Sequence, residues 1–149
     1  MKDYAEIAAK NFHSGYNCAQ AVFAAFCDRY NMDEKTALKL SSSFGGGMGR
    51  LREVCGAMSA VFMIAGLEKG YFDVTNYDLK AAHYKFIQEL AADFREKFNT
   101  IICRELLNLP KGPDAPEPLE RTKEYYAHRP CEKFIRYAAQ IVQNKILDK

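Results

Sequence analysis

Hydrophobic positions recur with a helical period along most of this chain. The period is clear in segments 3–12, 18–30, 34–43 and 77–99, and a further segment follows Pro130 and should extend to about residue 147. Alternation with a period of two, which marks half-buried strands, is rare throughout the chain. The pattern therefore predicts an all-α fold, a single-domain helical bundle of about six or seven helices.

The segment 51–67 differs from the other helical segments because it has no clean polar face. A helix of this kind is buried on nearly all sides in a globular protein. Its apolar stretch, 54–67, has 14 residues, whereas a helix needs roughly 20 apolar residues to cross a bilayer. We therefore predict that 51–67 is a buried central helix and that the chain has no membrane span.

Glycine and proline mark the two main interruptions of the helical pattern. Four glycines fall within 45–49, directly before the central segment, and they predict a loop that another group can approach closely. Residues 109–118 contain four of the five prolines, each of which lacks a backbone N–H. These prolines predict a loop before the C-terminal helix. We expect the whole chain, 1–149, to form one domain. Thr100 either caps a new helix or lies in a kink of the long one.

Composition narrows the classes of function. The chain has 149 residues, 48% of them hydrophobic and 27% charged, which is typical of one globular domain. Its net charge is only +2 and its basic residues are scattered among acids, so we expect no nucleic-acid binding. Acidic residues occupy the N-terminus where a signal peptide would be apolar, and we expect a cytoplasmic location. The apolar content is compatible with a homodimer.

The five cysteines differ in where they lie on the predicted helices. Cys18 follows the N-cap residue Asn17, Cys131 follows Pro130, and Cys55 follows the glycine loop by about one turn. If Thr100 caps a helix, Cys103 is its third residue. Free N–H groups and the helix dipole stabilise a thiolate in a first turn, so we expect lowered thiol pKa values there. By contrast, Cys27 falls inside a helix, and we assign it to the core.

Four segments of the chain resemble a known family. They are NCAQAV at 17–22, GGGMGRLREVCGAMSAVFMIAG at 45–66, the single Cys103 before a leucine pair, and RPCEKFI at 129–135. Together they resemble the small redox-active proteins named for a C, CGAxxG, C, C cysteine pattern. The resemblance implies a helical protein with a redox role, whose four family cysteines are Cys18, Cys55, Cys103 and Cys131. One departure is Ala60, which stands at the final glycine of the motif.

Four convergent cysteines are compatible with two chemistries. In the first, one thiol of low pKa attacks a partner and a second resolves the mixed disulfide, as in a thiol oxidoreductase. We expect Cys55 to be the attacking thiol, because the glycine loop can expose it and supply backbone donors. In the second, Cys18, Cys55, Cys103 and Cys131 hold an iron-sulfur cluster or a zinc ion without any turnover. The sequence leaves both open and does not identify the redox partner or small molecule.

Two further interpretations concern the remaining residues. The glycine loop and Arg50 are able to form an anion-binding nest, which predicts a cofactor or ligand contact at Gly45, Gly46, Gly47 and Gly49. Alternatively, the loop is purely structural and lets helices approach closely. For the protein as a whole, a further alternative is an interaction domain with buried structural thiols.

Overall fold

The computed structural model describes residues 2–147, and the all-α prediction is confirmed. Within that range the chain forms eight α-helices: α1 (Tyr4–His13), α2 (Cys18–Phe26), α3 (Glu34–Ser41), α4 (Gly56–Lys69), α5 (Tyr77–Phe98), α6 (Cys103–Leu106), α7 (Lys123–His128) and α8 (Cys131–Ile141). Two of them, α6 and α7, have only four and six residues, which explains why the sequence pattern predicts fewer helices.

The first helices begin at polar caps that the sequence indicates. The Asn17 side chain accepts a hydrogen bond from the backbone of Gln20, and the Gln20 side chain accepts one from the backbone of Asn17. This capping box satisfies two of the free donors at the start of α2. At α3, the Asp33 side chain caps the helix by accepting hydrogen bonds from the Thr36 backbone N–H and hydroxyl. Cys18 is therefore the first residue of α2, as predicted.

The central helix begins later than predicted, at Gly56 rather than at residue 51. Arg50 and Arg52 have φ values of 66° and 64°, which an α-helix does not allow. The backbone N–H of Cys55 bonds instead to the carbonyl of Ile101 at 2.8 Å, outside its own helix. Residues 51–55 therefore form an extended connection, and Cys55 becomes the N-cap residue of α4.

Burial of the central helix is confirmed for α4. The core-facing residues of its first three turns are buried, and α4 packs most extensively against α2. Gly56 permits this packing, because a Cβ atom there would lie 2.8 Å from the Phe44 carbonyl oxygen and 3.0 Å from the Ala19 backbone nitrogen. Helices α1 and α8 pack beside this pair and close the core.

The long helix α5 is only partly packed. Leu90 and Phe94 in its second half are buried, whereas Leu79 and Tyr84 in its first half are 52% and 50% exposed. The helix ends at Asn99, whose left-handed conformation is a common C-cap. Its apolar periodicity therefore predicts the helix correctly but not how much of it the core covers.

The segment after α5 resolves the two alternatives for Thr100. A new helix, α6, starts at Cys103, and its N-cap residue is Ile102 rather than Thr100. The Thr100 hydroxyl accepts a hydrogen bond from the Ile102 backbone and donates one to Glu105. Cys103 is therefore the first residue of its helix, not the third.

The C-terminal region follows the predicted order. The proline-rich segment 109–118 contains no helix or strand, and α8 begins at Cys131 with Pro130 before it. The α-helix ends at Ile141, and residues Val142–Leu147 continue as a π-helical turn. No helix among residues 2–147 has the length and apolar character needed to span a membrane.

Candidate functional site

One cavity of about 440 Å³ lies where the starts of four helices meet. Its lining includes a cysteine from each of them, namely Cys18, Cys55, Cys103 and Cys131. The predicted ligand residues Gly45, Gly46, Gly47, Gly49 and Arg50 also line it. Cys27 does not, and it is buried in the core. The fold thus brings the four helix-start thiols and the glycine loop to one place.

Cys55 and Cys103 lie side by side because their backbones pair. The Cys55 N–H donates to the carbonyl of Ile101, and the Cys103 N–H donates to the carbonyl of Glu53 at 2.6 Å. Val54 and Ile102 form an isolated antiparallel bridge between these bonds. A short two-stranded contact therefore holds the starts of α4 and α6 together.

The glycine loop packs directly on this contact. The turn Gly45–Met48 is helical by hydrogen bonding, but Gly46 and Gly47 both have a φ of 68°. A Cβ atom on Gly47 would lie 2.7 Å from Cys103 Cβ and 2.8 Å from Arg52 Cα. Gly47 therefore needs both a left-handed backbone and the absence of a side chain.

Arg52 connects Cys103 to the proline-rich loop. Its side chain is buried, and its Nη1 donates to Cys103 Sγ at 3.4 Å. Its Nε and Nη2 bind the carboxylate of Asp114 at 2.9 and 2.7 Å. Burial raises the pKa of Cys103, while the Arg52 guanidinium acts in the opposite direction. The same guanidinium lowers the pKa of Asp114.

Arg50 fixes a second point of the proline-rich loop. Its Nε donates to the Ala115 carbonyl at 2.7 Å, and its backbone carbonyl accepts from the Asp114 N–H at 2.9 Å. The guanidinium that the sequence assigns to an anion nest is therefore already bound to this loop.

The thiols of Cys18 and Cys131 both line the cavity, and each affects the ionisation of the other. A hydrogen bond from the Cys18 thiol lowers the pKa of Cys131, and the same interaction raises the pKa of Cys18 well above its usual value. Arg129 and Arg52 add to the stabilisation of a Cys131 thiolate. Of the two thiols, Cys131 is therefore the one whose pKa favours the anionic form.

The expected lowering of thiol pKa at helix starts is correct only for Cys131. Burial raises the pKa of Cys55 to about 12, although hydrogen bonds from the backbones of Met58 and Ala57 act against it. Cys55 is 5% exposed and Cys131 is 7% exposed, so the glycine loop does not expose Cys55, and the pKa rather than exposure separates the two thiols. Removal of a thiolate from water outweighs the helix-start donors at this position. Backbone donors are therefore present at Cys55, but the expected exposure and a lowered pKa are not.

Arg121 is a site residue that the sequence does not indicate. Its guanidinium donates to the carbonyls of Phe12 and Tyr16, both at 3.1 Å, and lies 4.9 Å from the centre of the Tyr125 ring. These contacts fasten the chain after the proline-rich loop to the end of α1. Nothing in the local pattern around Arg121 marks this contact across the fold.

The donor set was also tested for a metal site. Among residues 2–147, no three or more histidine, cysteine, aspartate or glutamate side chains are grouped so that they could hold a metal ion. The observed arrangement of the four thiols therefore gives no support to a site in which they bind one ion together.

A comparison with protein families matches residues 16–145 to the family described as "putative redox-active protein (C_GCAxxG_C_C)". No curated protein and no solved structure matches the chain. The family name contains the motif GCAxxG, whose alanine corresponds to Ala57 of this chain. Cys55 and Gly56 then occupy the positions of the motif's first glycine and its cysteine, and Ala60 occupies the position of its last glycine. Because the match covers most of the chain, the protein belongs to this family of putative redox-active proteins.

Proposed function

We propose that this protein is a thiol–disulfide oxidoreductase in which Cys131 attacks and Cys18 resolves. The observation that carries the proposal is that both thiols line one cavity, and a lowered pKa of Cys131 with a raised pKa of Cys18 supports their two roles. A thiolate is the nucleophile in thiol–disulfide exchange, and a second thiol beside it completes the cycle.

The first step forms a mixed disulfide. The Cys131 thiolate attacks one sulfur of a substrate disulfide, whose S–S bond breaks and releases one thiolate. The arginines around Cys131 favour its anionic form before the attack, because opposite charges nearby stabilise a thiolate.

The second step releases the product. Cys18 gives its proton to the departing thiolate and attacks Cys131 Sγ, which breaks the mixed disulfide and frees the second substrate thiolate. Two electrons pass from the protein dithiol to the substrate, and the protein ends with a Cys18–Cys131 disulfide. The reverse sequence oxidises a substrate dithiol.

A redox titration of the full chain tests this proposal. We expect one two-electron thiol couple in the wild-type protein, and we expect its loss in both Cys18→Ser and Cys131→Ser. Cys27→Ser is the matched control, because Cys27 lies outside the cavity, and it should keep the couple. A couple that survives in either of the first two variants would overturn the assignment, provided that circular dichroism shows a folded protein.

A metal-binding protein is the second candidate. This candidate rests on the number of thiols that line one cavity and not on their grouping, since four cysteines are a usual ligand set for zinc or an iron-sulfur cluster. Metal analysis of anaerobically purified protein separates the two. About one metal site per chain, with about four thiols blocked, would replace the disulfide proposal.

A further inference from the structure

We infer that the substrate of the thiol site is a small thiol or disulfide with an apolar body and an anionic group, which Arg129 binds. This inference rests on the proposed thiol function and adds the class of substrate. It is drawn from the charge of the cavity, the partners of its arginines and the character of its walls.

The lining of the cavity is strongly cationic. Four arginines line it, and none of the described residues that line it is an aspartate or a glutamate. Asp114 does neutralise part of this charge from the proline-rich loop, through Arg52 and Arg50. A cavity with a single sign of charge attracts ligands of the opposite sign.

Three of the four arginines already have acceptors within the protein. Arg50 binds Ala115, and Arg52 binds Asp114 and the Cys103 sulfur. Arg121 donates to two backbone carbonyls of the α1 region. These three side chains hold the walls of the cavity in place, and their donors are used for contacts within the protein.

Arg129 is different. Its half-buried guanidinium has no hydrogen bond or ion pair with any side chain or carbonyl of residues 2–147, and its contact is with the face of Tyr125, 5.4 Å from the ring centre. Its charge acts on Cys131, two positions further along the chain. A guanidinium presents five N–H donors in a fork that fits a carboxylate or a similar oxyanion. It is therefore the group free to bind an anion beside the attacking sulfur.

The apolar side chains of the cavity wall indicate that the rest of the ligand is apolar. Leu106, Leu107, Leu119 and Phe134 line the cavity together with Tyr125. The volume, about 440 Å³, lies within the range of small-molecule sites. An apolar or aromatic body on these side chains, with its anionic group on Arg129, would bring a sulfur atom to Cys131.

Two aromatic disulfides, one anionic and one neutral, test the inference. One is 5,5′-dithiobis(2-nitrobenzoate), which carries two carboxylates, and the other is the neutral 2,2′-dithiodipyridine. The rate of mixed-disulfide formation at Cys131 is measured with each reagent in a Cys18→Ser background, where no resolving thiol removes the product, and the modified residue is identified by peptide mass spectrometry. The ratio of the two rates cancels any change in the thiolate fraction of Cys131, because both reagents react with the same thiolate.

We expect Arg129→Met to lower the anionic-to-neutral rate ratio roughly tenfold, because a charge-assisted hydrogen bond is lost. Arg129→Lys should retain much of the ratio. Lys133→Met is the matched control, since it removes one positive charge at an exposed position of α8, and it should leave the ratio unchanged.

The outcomes distinguish this inference from the proposed function. An unchanged ratio in Arg129→Met, with Cys131 still reactive, would overturn the anionic substrate and leave the thiol mechanism intact. If neither reagent releases its aromatic thiolate on reaction with the folded wild-type protein, and neither modifies Cys131 in folded Cys18→Ser, the thiol mechanism itself fails, and the substrate class with it.

Discussion

Cys55 and Cys131 both lie at the start of a helix, yet their pKa values shift in opposite directions. Burial raises the pKa of Cys55 to about 12. At Cys131, the hydrogen bond from Cys18 and the nearby arginines outweigh burial and lower the pKa. A helix start supplies at most about 2 kcal/mol of stabilisation to an anion, so the immediate neighbours of each sulfur decide its ionisation.

We predict that Cys131 is alkylated at lower pH than Cys55. A thiolate forms as the pH rises through the thiol pKa, so Cys131, whose pKa is lowered, should react at a pH at which Cys55 stays protonated. The rate difference at pH 7 should be on the order of 100-fold or more. Pulses of iodoacetamide between pH 6 and 10, followed by peptide mass spectrometry, measure both rates. Equal rates in the folded protein would contradict the assigned ionisation.

At the scale of secondary-structure elements, the glycine loop holds the starts of α4 and α6 in register. Gly47 and Gly49 both have left-handed backbones, with φ values of 68° and 59°. They differ in the space around them, since a Cβ on Gly49 would meet only the Ser43 carbonyl oxygen at 3.9 Å. A substitution at Gly49 therefore introduces backbone strain alone, whereas the same substitution at Gly47 adds a steric clash.

We predict that Gly47→Ala destabilises the protein more than Gly49→Ala. Left-handed strain should cost roughly 1–2 kcal/mol at each position. The clash with Cys103 and Arg52 should add about 1–3 kcal/mol at Gly47 only. Urea unfolding of both variants gives the two free energies. Equal losses would mean that the loop relaxes away from Cys103 without cost.

Local chemistry predicts most of the elements but not the start of the central helix. The N-cap Asn17, the break at Asn99 and the proline-rich loop depend on nearby residues, so the sequence indicates them. The start of α4 depends instead on pairing with residues 101–103, which lie in a distant segment. An apolar pattern carries no information about such pairing, and it therefore predicts a helix that starts five residues too early.

The same distinction applies to the site. The positions of Cys18, Cys103 and Cys131 at helix starts are local, and the sequence indicates them within two residues. Cys55 also lies at a helix start, but that start is five residues later than predicted. The contacts of Cys18 with Cys131, and of Arg52 with Asp114, join segments far apart in the chain. These contacts decide which thiol carries the charge, and this explains why the sequence favours Cys55 instead.

At the scale of the whole molecule, the Asp114 carboxylate holds the proline-rich loop at the cavity, together with the contacts of Arg50. Asp114 pairs with the buried Arg52, and Pro116 and Pro118 line the cavity beside it. The Arg52 guanidinium lowers the pKa of Asp114 below that of an unfolded aspartate. The pairing therefore stabilises the fold above about pH 4 and is lost as the pH falls through the lowered pKa.

We predict that Asp114→Asn loosens the loop and opens the cavity. Arg52 would keep its buried charge without a carboxylate partner. Limited proteolysis within residues 109–122 should become several-fold faster, and so should labelling of Cys103. Asp73→Asn is the matched control, because Asp73 lies in an exposed turn and bonds only to Thr75. Unchanged proteolysis in Asp114→Asn would show that other contacts hold the loop.

The most direct test of the account is the identity of the first disulfide. The full-length protein is reduced, oxidised mildly under metal-free conditions, digested and analysed by mass spectrometry for linked peptides. The account predicts a linkage between Cys18 and Cys131 that reducing agent reverses, with Cys27, Cys55 and Cys103 still present as thiols. A first linkage between any other two cysteines, or no linkage while all thiols remain reduced, would contradict it.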